Sequence, residues 1–385
     1  MHETSIPQLC AKRLRSFSFP FLLLALFLVG TPSSVEAAKT NSAAQNFKWK
    51  DIRELGVEGR GWDETKSFYD RLPAKAEKVV RPAVWNLSRQ SAGMLVRFNS
   101  DAPEIHARWA VTSSNLSLPH MPATGVSGLD LYVKNAKGEW RWLAVGIPKA
   151  QTNSISLITG LLPGEREYLL YLPLYNGTQF VELGVPTNFT IEPAAAWGKG
   201  ERKPIVFYGT SILQGGCASR PGMVHSSILG RRFHWPTMNF GFSGNGKMEI
   251  EIADLLAELN PSVYVLDCVP NMSSEEVKQR VEPFVLRLRK SHPETPIVLV
   301  EGRRWASADF LPEKRKRHDA ERAELTAAFK RLKKSGIKNL HYVKGENLFG
   351  DDGEGTVDGS HATDLGFMRQ AEVLEKVLKP LLKTK

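Results

Sequence analysis

The sequence predicts two consecutive halves, an all-β domain and an α/β domain with a parallel sheet. From about residue 42 to 197, short runs rich in Val, Leu, Trp and Tyr alternate with turn sequences. From Lys203 onward, apolar strands alternate with helical segments, which is typical of a parallel sheet covered by helices on both faces. The length of 385 residues also exceeds that of one ordinary domain.

The N-terminus has the three-part pattern of a secretory signal peptide. A basic stretch at residues 12–15 precedes an apolar run from Phe17 to Gly30, and small residues surround Ala37. We expect residues 1–37 to be a signal peptide cleaved after Ala37. An uncleaved anchor is the alternative, but the run is shorter than the ~20 residues of a spanning helix. The prediction is therefore an exported protein, periplasmic or secreted, without stable membrane insertion after cleavage.

Residues 38–197 are expected to form a β-sandwich of jelly-roll type. The clearest strand signals are 94–98, 105–109, 129–133 and 166–172. Turn sequences rich in Asn, Asp, Gly and Pro separate them at 99–103, 135–138 and 162–164.

Residues 203–385 are expected to form a three-layer α/β/α domain with a flavodoxin-like parallel sheet. Five strands are predicted, at 205–208, 237–242, 263–266, 297–300 and 340–343. A helix is predicted after each strand, and after the first strand a loop precedes it. In such sheets the reactive groups gather beyond the carboxyl ends of the strands.

The formal charge of +10 raises nucleic-acid binding as a function class. Lys and Arg are spread along the chain, however, and no recognition motif accompanies them. The densest basic run, residues 314–317, is followed by acidic residues and indicates a solvated helix face. We therefore expect no nucleic-acid partner.

Cysteine and histidine spacing gives no sign of a zinc site, and no glycine-rich loop ends in Lys-Ser or Lys-Thr. We therefore expect neither a metal nor a cofactor. Two cysteines remain after the predicted cleavage, Cys217 and Cys268. They could pair in an oxidising compartment or stay as buried thiols, and the sequence leaves both alternatives open.

Ser211 follows the first predicted strand of the α/β half, within Gly209-Thr210-Ser211. A hydroxyl there lies at the carboxyl edge of the sheet and needs a base to become a nucleophile. Alone, the fragment fits a turn serine that caps a helix. Near the other end, Asp358 and His361 precede the last helix. A histidine and a carboxylate are the partners that such a serine requires, and Gly359 allows the bend between them.

Two further segments could supply donors for an oxyanion. Gly244 lies in a glycine-rich stretch after the second strand, and Asn271 follows the third strand. A backbone N–H and a side-chain amide at that edge could stabilise negative charge on a reacting carbonyl oxygen. A loop without function is the alternative for Gly244, and a turn residue next to a helix, after Pro270, is the alternative for Asn271.

The order Ser, Gly, Asn and His at the ends of successive strands resembles the SGNH (GDSL-type) hydrolase superfamily. The resemblance implies that Ser211 is the nucleophile and that Asp358 and His361 complete a triad. It also implies an oxyanion hole made by Ser211, Gly244 and Asn271. Two blocks depart from the family pattern, since Gly-Thr-Ser-Ile replaces Gly-Asp-Ser-Leu, and Val-Pro-Asn-Met replaces Gly-x-Asn-Asp.

Gly128-Leu-Asp-Leu-Tyr132 looks like the Gly-x-Asp-Leu-Tyr motif of a β-domain that precedes some SGNH esterases. Such enzymes remove acetyl groups from polysaccharides, so the resemblance implies a serine esterase for short acyl esters, with an acylated carbohydrate or another small ester as substrate. An acyltransferase with the same triad and a non-catalytic carbohydrate-binding protein are the alternatives. The loop 117–125 is a candidate wall of the cleft.

Overall fold

The computed structural model describes residues 46–198 and 202–382. The predicted signal peptide, 1–37, lies outside the described residues. Within the described part of the chain, no helix combines the length and the apolar character needed to cross a bilayer.

Residues 46–198, the described part of the first half, contain ten strands and three short helices. The strands are β1 (Phe47–Asp51), β2 (Val57–Glu58), β3 (Leu95–Ser100), β4 (Ile105–Val111), β5 (Leu129–Lys134), β6 (Trp140–Gly146), β7 (Thr152–Ile158), β8 (Arg166–Tyr171), β9 (Thr178–Pro186) and β10 (Ile191–Pro193). The helices are α1 (Ile52–Leu55), α2 (Pro82–Ser88) and α3 (Ala123–Val126).

These strands form two antiparallel sheets that pack on each other. One sheet has the order β1-β9-β4-β7, and the other has β10-β3-β8-β5-β6 with β2 paired to β3. Alternate residues of both sheets share one core, including Phe98 and Leu170 from one sheet and Trp109 and Leu183 from the other. Without the short β2 and β10, the two four-stranded orders are those of a jelly roll, which confirms the predicted sandwich.

Between residues 202 and 382, the structure has five strands and six α-helices. The strands are β11 (Ile205–Gly209), β12 (Thr237–Gly241), β13 (Val263–Asp267), β14 (Ile297–Val300) and β15 (Leu340–Val343). The helices are α4 (Ser211–Gln214), α5 (His225–Phe233), α6 (Ile250–Leu256), α7 (Ser274–Ser291), α8 (Pro312–Lys334) and α9 (Asp364–Leu378).

The five strands are parallel and have the order β12-β11-β13-β14-β15. All residues of β11, β13 and β14 are buried, as expected for strands covered on both faces. Helices α5 and α9 contribute to the core on one face, and α6, α7 and α8 to the core on the other. The flavodoxin-like α/β/α prediction is therefore confirmed, with α9 ending at Leu378 before a short 3₁₀ turn.

A segment of the first half belongs to the core of the second. Leu72, Ala76, Val84 and Trp85 are buried in the same apolar cluster as α6 and α7. The sequence divides into two halves near residue 200, but its packing does not, since residues 72–85 cover one face of the parallel sheet.

Candidate active site

Ser211 lies at the point where β11 meets α4. Thr210 caps the helix, its hydroxyl accepting a hydrogen bond from the N–H of Ile212 at 3.3 Å. Ser211 is the first residue of α4, so its own N–H has no acceptor within the helix. Ser211 is nearly buried, with 6% of the residue exposed. A hydroxyl and an uncommitted N–H are thus presented together at the carboxyl edge of the sheet.

Asp358, His361 and Ser211 form one hydrogen-bonded chain. Ser211 Oγ lies 2.8 Å from His361 Nε2. His361 Nδ1 lies 2.7 Å from Asp358 Oδ2, and Asp358 Oδ1 accepts the N–H of His361 at 2.7 Å. Gly359, with φ of +86°, makes the bend that lets one short loop hold both side chains. The structure therefore brings together the three residues that the sequence singled out.

The loop also holds Asp358 in its charged form. Burial disfavours the carboxylate, but hydrogen bonds from the backbone and ring of His361 and from the backbone of Ser360 outweigh it. The result is a pKa of Asp358 lowered to about 2. A carboxylate that is ionised at neutral pH fixes the tautomer of the ring and stabilises an imidazolium.

The loop after β12 carries Gly244 and approaches Ser211 from the opposite side. Phe242 donates its N–H to the carbonyl of Gly209 at 3.0 Å, which ties the loop to the end of β11. A Cβ on Gly246 would lie 2.0 Å from the same carbonyl oxygen, so only glycine permits this approach. Gly244 has φ of +68°, and the space where a side chain would stand is open.

Asn271 contacts this loop from the short turn after β13. Its Oδ1 accepts the N–H of Gly246 at 3.3 Å. That bond fixes which end of the amide faces the loop, since the oxygen is taken and the Nδ2 donor is left over. Asn271 thus lies where the sequence placed it, at the carboxyl edge and beside the loop of Gly244.

Arg71, in the first half of the chain, supports the end of β12, from which the loop of Gly244 begins. Its guanidinium is buried and donates to the carbonyls of Gly241 (2.6 Å), Asn239 (3.1 Å), Leu87 (2.7 Å) and Gln90 (2.7 Å). Burial lowers the pKa of Arg71 to about 9, so the group stays charged at neutral pH. The Arg71 guanidinium thereby joins the end of strand β12 to residues 87–90.

Two more contacts brace the loop. Arg81 Nη1 donates to Asn245 Oδ1 at 2.7 Å. The side chain of Gln214 receives the N–H of Ser243 at 3.0 Å and donates to the side chain of Gln90. Sequence analysis missed Arg71, Arg81 and Gln90, because nothing local to them indicates partners that lie 170, 164 and 124 residues away in the chain.

The loop 117–125 does reach the site. The ring of His120 lies 5.6 Å from that of His361, centre to centre. Ligand atoms of His120, Cys217 and His361 lie within 4.8 Å of one another, a group of metal-binding types that the spacing did not suggest. Both ring nitrogens of His361 are already engaged by Ser211 and Asp358, so a metal bound there would compete with the triad.

Cys217 and Cys268 are free, buried thiols, which decides between the two alternatives. Burial, aided by the charge of Asp358, raises the pKa of Cys217 to about 12. Burial also raises the pKa of Cys268. Neither thiol is therefore a ready nucleophile.

The Gly-x-Asp-Leu-Tyr motif joins the two halves. Asp130 is fully buried and accepts hydrogen bonds from Arg220 Nη1 (2.9 Å) and the N–H of Gly222 (2.8 Å). Both donors lie on the segment that follows α4. Arg303 pairs with Asp267, and Arg304 pairs with Asp309. His225 is buried, and His234 is the C-cap of α5.

Comparison with known families identifies both halves. The family model described as GDSL-like lipase/acylhydrolase matches residues 202–379. The model described as the N-terminus of SGNH-hydrolase-type esterases, named for its Gly-x-Asp-Leu-Tyr motif, matches residues 47–191. No curated protein sequence gives a significant match.

Several solved structures share the fold of this chain. A GDSL-like lipase from Bacteroides ovatus is 35% identical, with 88% of this chain and 99% of that chain covered and a TM-score of 0.83. A salicylyl-acyltransferase from a tetracycline biosynthetic pathway is 20% identical, with coverage of 87% and 97% and a TM-score of 0.70. An acetyl xylan esterase from the rumen bacterium Butyrivibrio proteoclasticus is 11% identical, with coverage of 87% and 98% and a TM-score of 0.54.

The fold and the matches together define a carboxylic ester hydrolase of the SGNH type. The chain belongs to the GDSL-like lipase/acylhydrolase family, in the subgroup with the Gly-x-Asp-Leu-Tyr β-domain. The two motif departures noted in the sequence do not remove it from the family.

Proposed function

We propose that this protein hydrolyses short acyl esters, chiefly acetyl esters, on carbohydrate substrates outside the cytoplasm. The observation that carries the proposal is the chain of contacts from Ser211 Oγ to His361 Nε2 (2.8 Å) and from His361 Nδ1 to Asp358 (2.7 Å). This is the spacing at which a histidine takes a proton from a serine while a carboxylate holds the ring.

In this mechanism His361 removes the proton of Ser211 as the hydroxyl attacks the acyl carbonyl. Negative charge develops on the carbonyl oxygen, and the N–H groups of Ser211 and Gly244 with the side-chain amide of Asn271 stabilise it. His361 then protonates the departing alcohol. A water molecule, deprotonated by His361, attacks the acyl-enzyme and releases the acid.

The preference for acetyl esters on carbohydrates is supported by the acetyl xylan esterase that shares this fold. The chain is closely packed beside the nucleophile, since a Cβ on Gly216 would lie 3.0 Å from the His361 ring and 3.1 Å from the hydroxyl of Tyr175. Tyr175 in turn donates to the backbone carbonyl of Ser211 at 3.1 Å. This packing holds the Ser211 turn beside His361.

Ser211→Ala tests the nucleophile. The variant keeps the fold, because only one small oxygen is removed, and kcat for p-nitrophenyl acetate falls by about 10⁶-fold. Thr210→Ser serves as the control, since it keeps the cap and leaves the triad untouched. Activity of Ser211→Ala near that of the wild type would refute the assignment.

The substrate class is tested by incubating the protein with acetylated xylan, mannan and pectin and measuring released acetate. Release from at least one polysaccharide by the wild type, and from none by Ser211→Ala, is the expected result. Hydrolysis of p-nitrophenyl acetate without release from any polysaccharide would leave an esterase but refute the carbohydrate substrate.

Acyl transfer to a sugar is the second candidate, favoured by the fold shared with the salicylyl-acyltransferase. It uses the same acyl-enzyme, with a sugar hydroxyl in place of water in the second step. Added sugar acceptors separate the two reactions: hydrolysis gives free acid at an unchanged yield, whereas transfer diverts the acyl group into a new ester.

A further inference from the structure

A second groove lies apart from the triad, where β5 and β6 face α5. It has a volume of about 450 Å³, and the two halves of the chain both line it. Tyr132 and Trp140 come from the sandwich, whereas Arg220 and Arg231 come from the α/β half. None of its lining residues belongs to the proposed triad or oxyanion hole.

The floor of the groove is formed by the guanidinium groups of Arg220 and Arg231, and the carboxylate that lines the groove is that of Glu139. The buried carboxylate of Asp130 is not among the lining residues but pairs with Arg220. Asp130 is saturated, since it accepts from Arg220, from the N–H of Gly222 and from the indole N–H of Trp142 at 3.0 Å. Arg231 has no described carboxylate within ion-pair distance. Its recorded hydrogen bond goes to the hydroxyl of Tyr171 at 3.1 Å.

The described contacts of Arg231 are with aromatic side chains. Its guanidinium stacks on the ring of Tyr132, 4.0 Å from the centroid. Burial raises the pKa of Tyr132, and burial raises that of Tyr171 to about 12, so both phenols stay uncharged. The floor thus carries an excess positive charge, and a largely desolvated guanidinium favours a carboxylate or sulfate as partner.

Other arginines at the groove are already paired. Arg232 lies beside Arg231 on α5 and donates to Glu375 at 2.9 Å. Arg141 pairs with Glu139 at 2.5 Å. The unpaired charge is therefore local to Arg231, not a general property of a basic surface.

Beside the charged floor stands an exposed indole. Trp142 is 50% exposed, although its ring is rigidly held by the hydrogen bond to Asp130 and by Arg220, 5.2 Å from the ring centroid. A fixed and solvent-facing aromatic plane suits the apolar C–H face of a sugar ring. Arg220 contacts both Asp130 and the Trp142 ring, so the charged groups and the aromatic plane belong to one network of contacts.

We propose that this groove binds an anionic sugar unit of the polysaccharide, a uronate or a sulfated sugar, with its anion on Arg231 and its ring on Trp142. The inference rests on the proposed carbohydrate substrate and adds to it a preference for acidic chains. An oxygen pair of a carboxylate or sulfate fits the two-pronged geometry of a guanidinium.

Binding is measured by calorimetry with the full chain carrying Ser211→Ala, so that turnover does not interfere. The probes are a galacturonate hexasaccharide, a sulfated galactan oligosaccharide of similar length, and neutral cellohexaose. We expect at least one acidic probe to bind about ten-fold more tightly than cellohexaose, with an affinity that falls as salt rises. Equal affinity for all three probes would overturn the proposal.

Variants locate the binding. Arg231→Gln should weaken binding of the acidic probe by about ten-fold, and Trp142→Ala should weaken binding of acidic and neutral probes alike. Arg232→Gln is the matched control, because it removes the same charge from the same helix and should change the affinity less than two-fold. An equal effect of Arg231→Gln and Arg232→Gln would show diffuse attraction and refute a specific site.

Thermal unfolding checks that each variant is folded. If Arg231→Gln does not fold, the acidic probe is compared on Trp142→Ala and Arg232→Gln. A loss of affinity in Trp142→Ala but not in Arg232→Gln places the probe at this groove, and equal affinities refute it. Binding in the Ser211→Ala background is independent of catalysis. Acidic-probe binding without acetate release would therefore refute the proposed function alone, and acetate release without acidic preference would refute this groove alone.

Discussion

The two sides of the candidate site differ in the origin of their support. Asp358 and His361 lie three residues apart, and their loop makes most of its own hydrogen bonds. The loop after β12, which carries Gly244, and the end of β12 itself depend instead on Arg81 and Arg71, which lie far away in the chain. In the proposed mechanism, proton transfer is therefore organised locally, whereas stabilisation of the oxyanion is organised by the contact between the two halves.

Asp358→Asn tests the locally organised side of the site. Of the variants that test this comparison, it has the largest expected effect. A neutral amide does not stabilise the positive charge of the His361 imidazolium, and it favours the wrong tautomer of the ring. We therefore expect kcat for p-nitrophenyl acetate to fall by about 10⁴-fold. The loop keeps its backbone bonds, and the far-UV circular dichroism should not change. A loss below ten-fold would mean that the His361 ring is positioned by other groups.

Asn271→Ala addresses the oxyanion side directly. Loss of one oxyanion donor typically costs 10²–10³ in kcat, and we expect a fall of about that size with little change in KM. Asn271→Asp is a stricter version, since it keeps the shape and the acceptor for Gly246 but places a negative charge beside the oxyanion. If both variants kept wild-type kcat, Asn271 would have no part in the hole.

Arg81→Ala and Gln90→Ala address the distant brace and should have smaller effects. Each removes one support of the loop but no group that touches substrate, so we expect kcat to fall about ten-fold with KM nearly unchanged. Arg53→Ala, also at the surface of the first half, is the control and should leave kcat as it is. An increase in KM with constant kcat would contradict a role in positioning the oxyanion loop.

The pH dependence of stability gives the smallest effect. The pKa of Asp358 is lowered in the folded state, so its stabilising contribution is complete above its ordinary value near 4 and is lost as pH falls towards about 2. The side chain is 41% exposed, which limits the size of the effect. The difference in the free energy of unfolding between wild type and Asp358→Asn should shrink from pH 7 to pH 2.5.

The same comparison explains how far sequence reasoning reaches. Short continuous apolar runs predicted β11 and β13–β15 closely, because burial on both faces of the sheet leaves a local signature in the sequence. Ser211 and His361 were identified because each follows a strand or precedes a helix whose position could be predicted. The departures at Thr210 and Met272 did not displace these residues.

What could not be predicted is whatever depends on long-range contact. Arg71 has the composition of any surface arginine, yet it is 1% exposed and binds four backbone carbonyls. Residues 72–85 show nothing that distinguishes packing on a sandwich from packing on the parallel sheet. The pairing of Asp130 with Arg220 likewise joins positions 90 residues apart.

The cradle of carbonyls around Arg71 also sets an order of events in folding. Residues 71–90 leave the ribosome early, but Gly241 is made 170 residues later. Until then the guanidinium has half of its acceptors and no oxyanion loop to hold, and contacts of such separation form slowly. A chain that stops between the two segments leaves Arg71 with two of its four carbonyl acceptors, and the proposed triad is complete only once His361 has been synthesised.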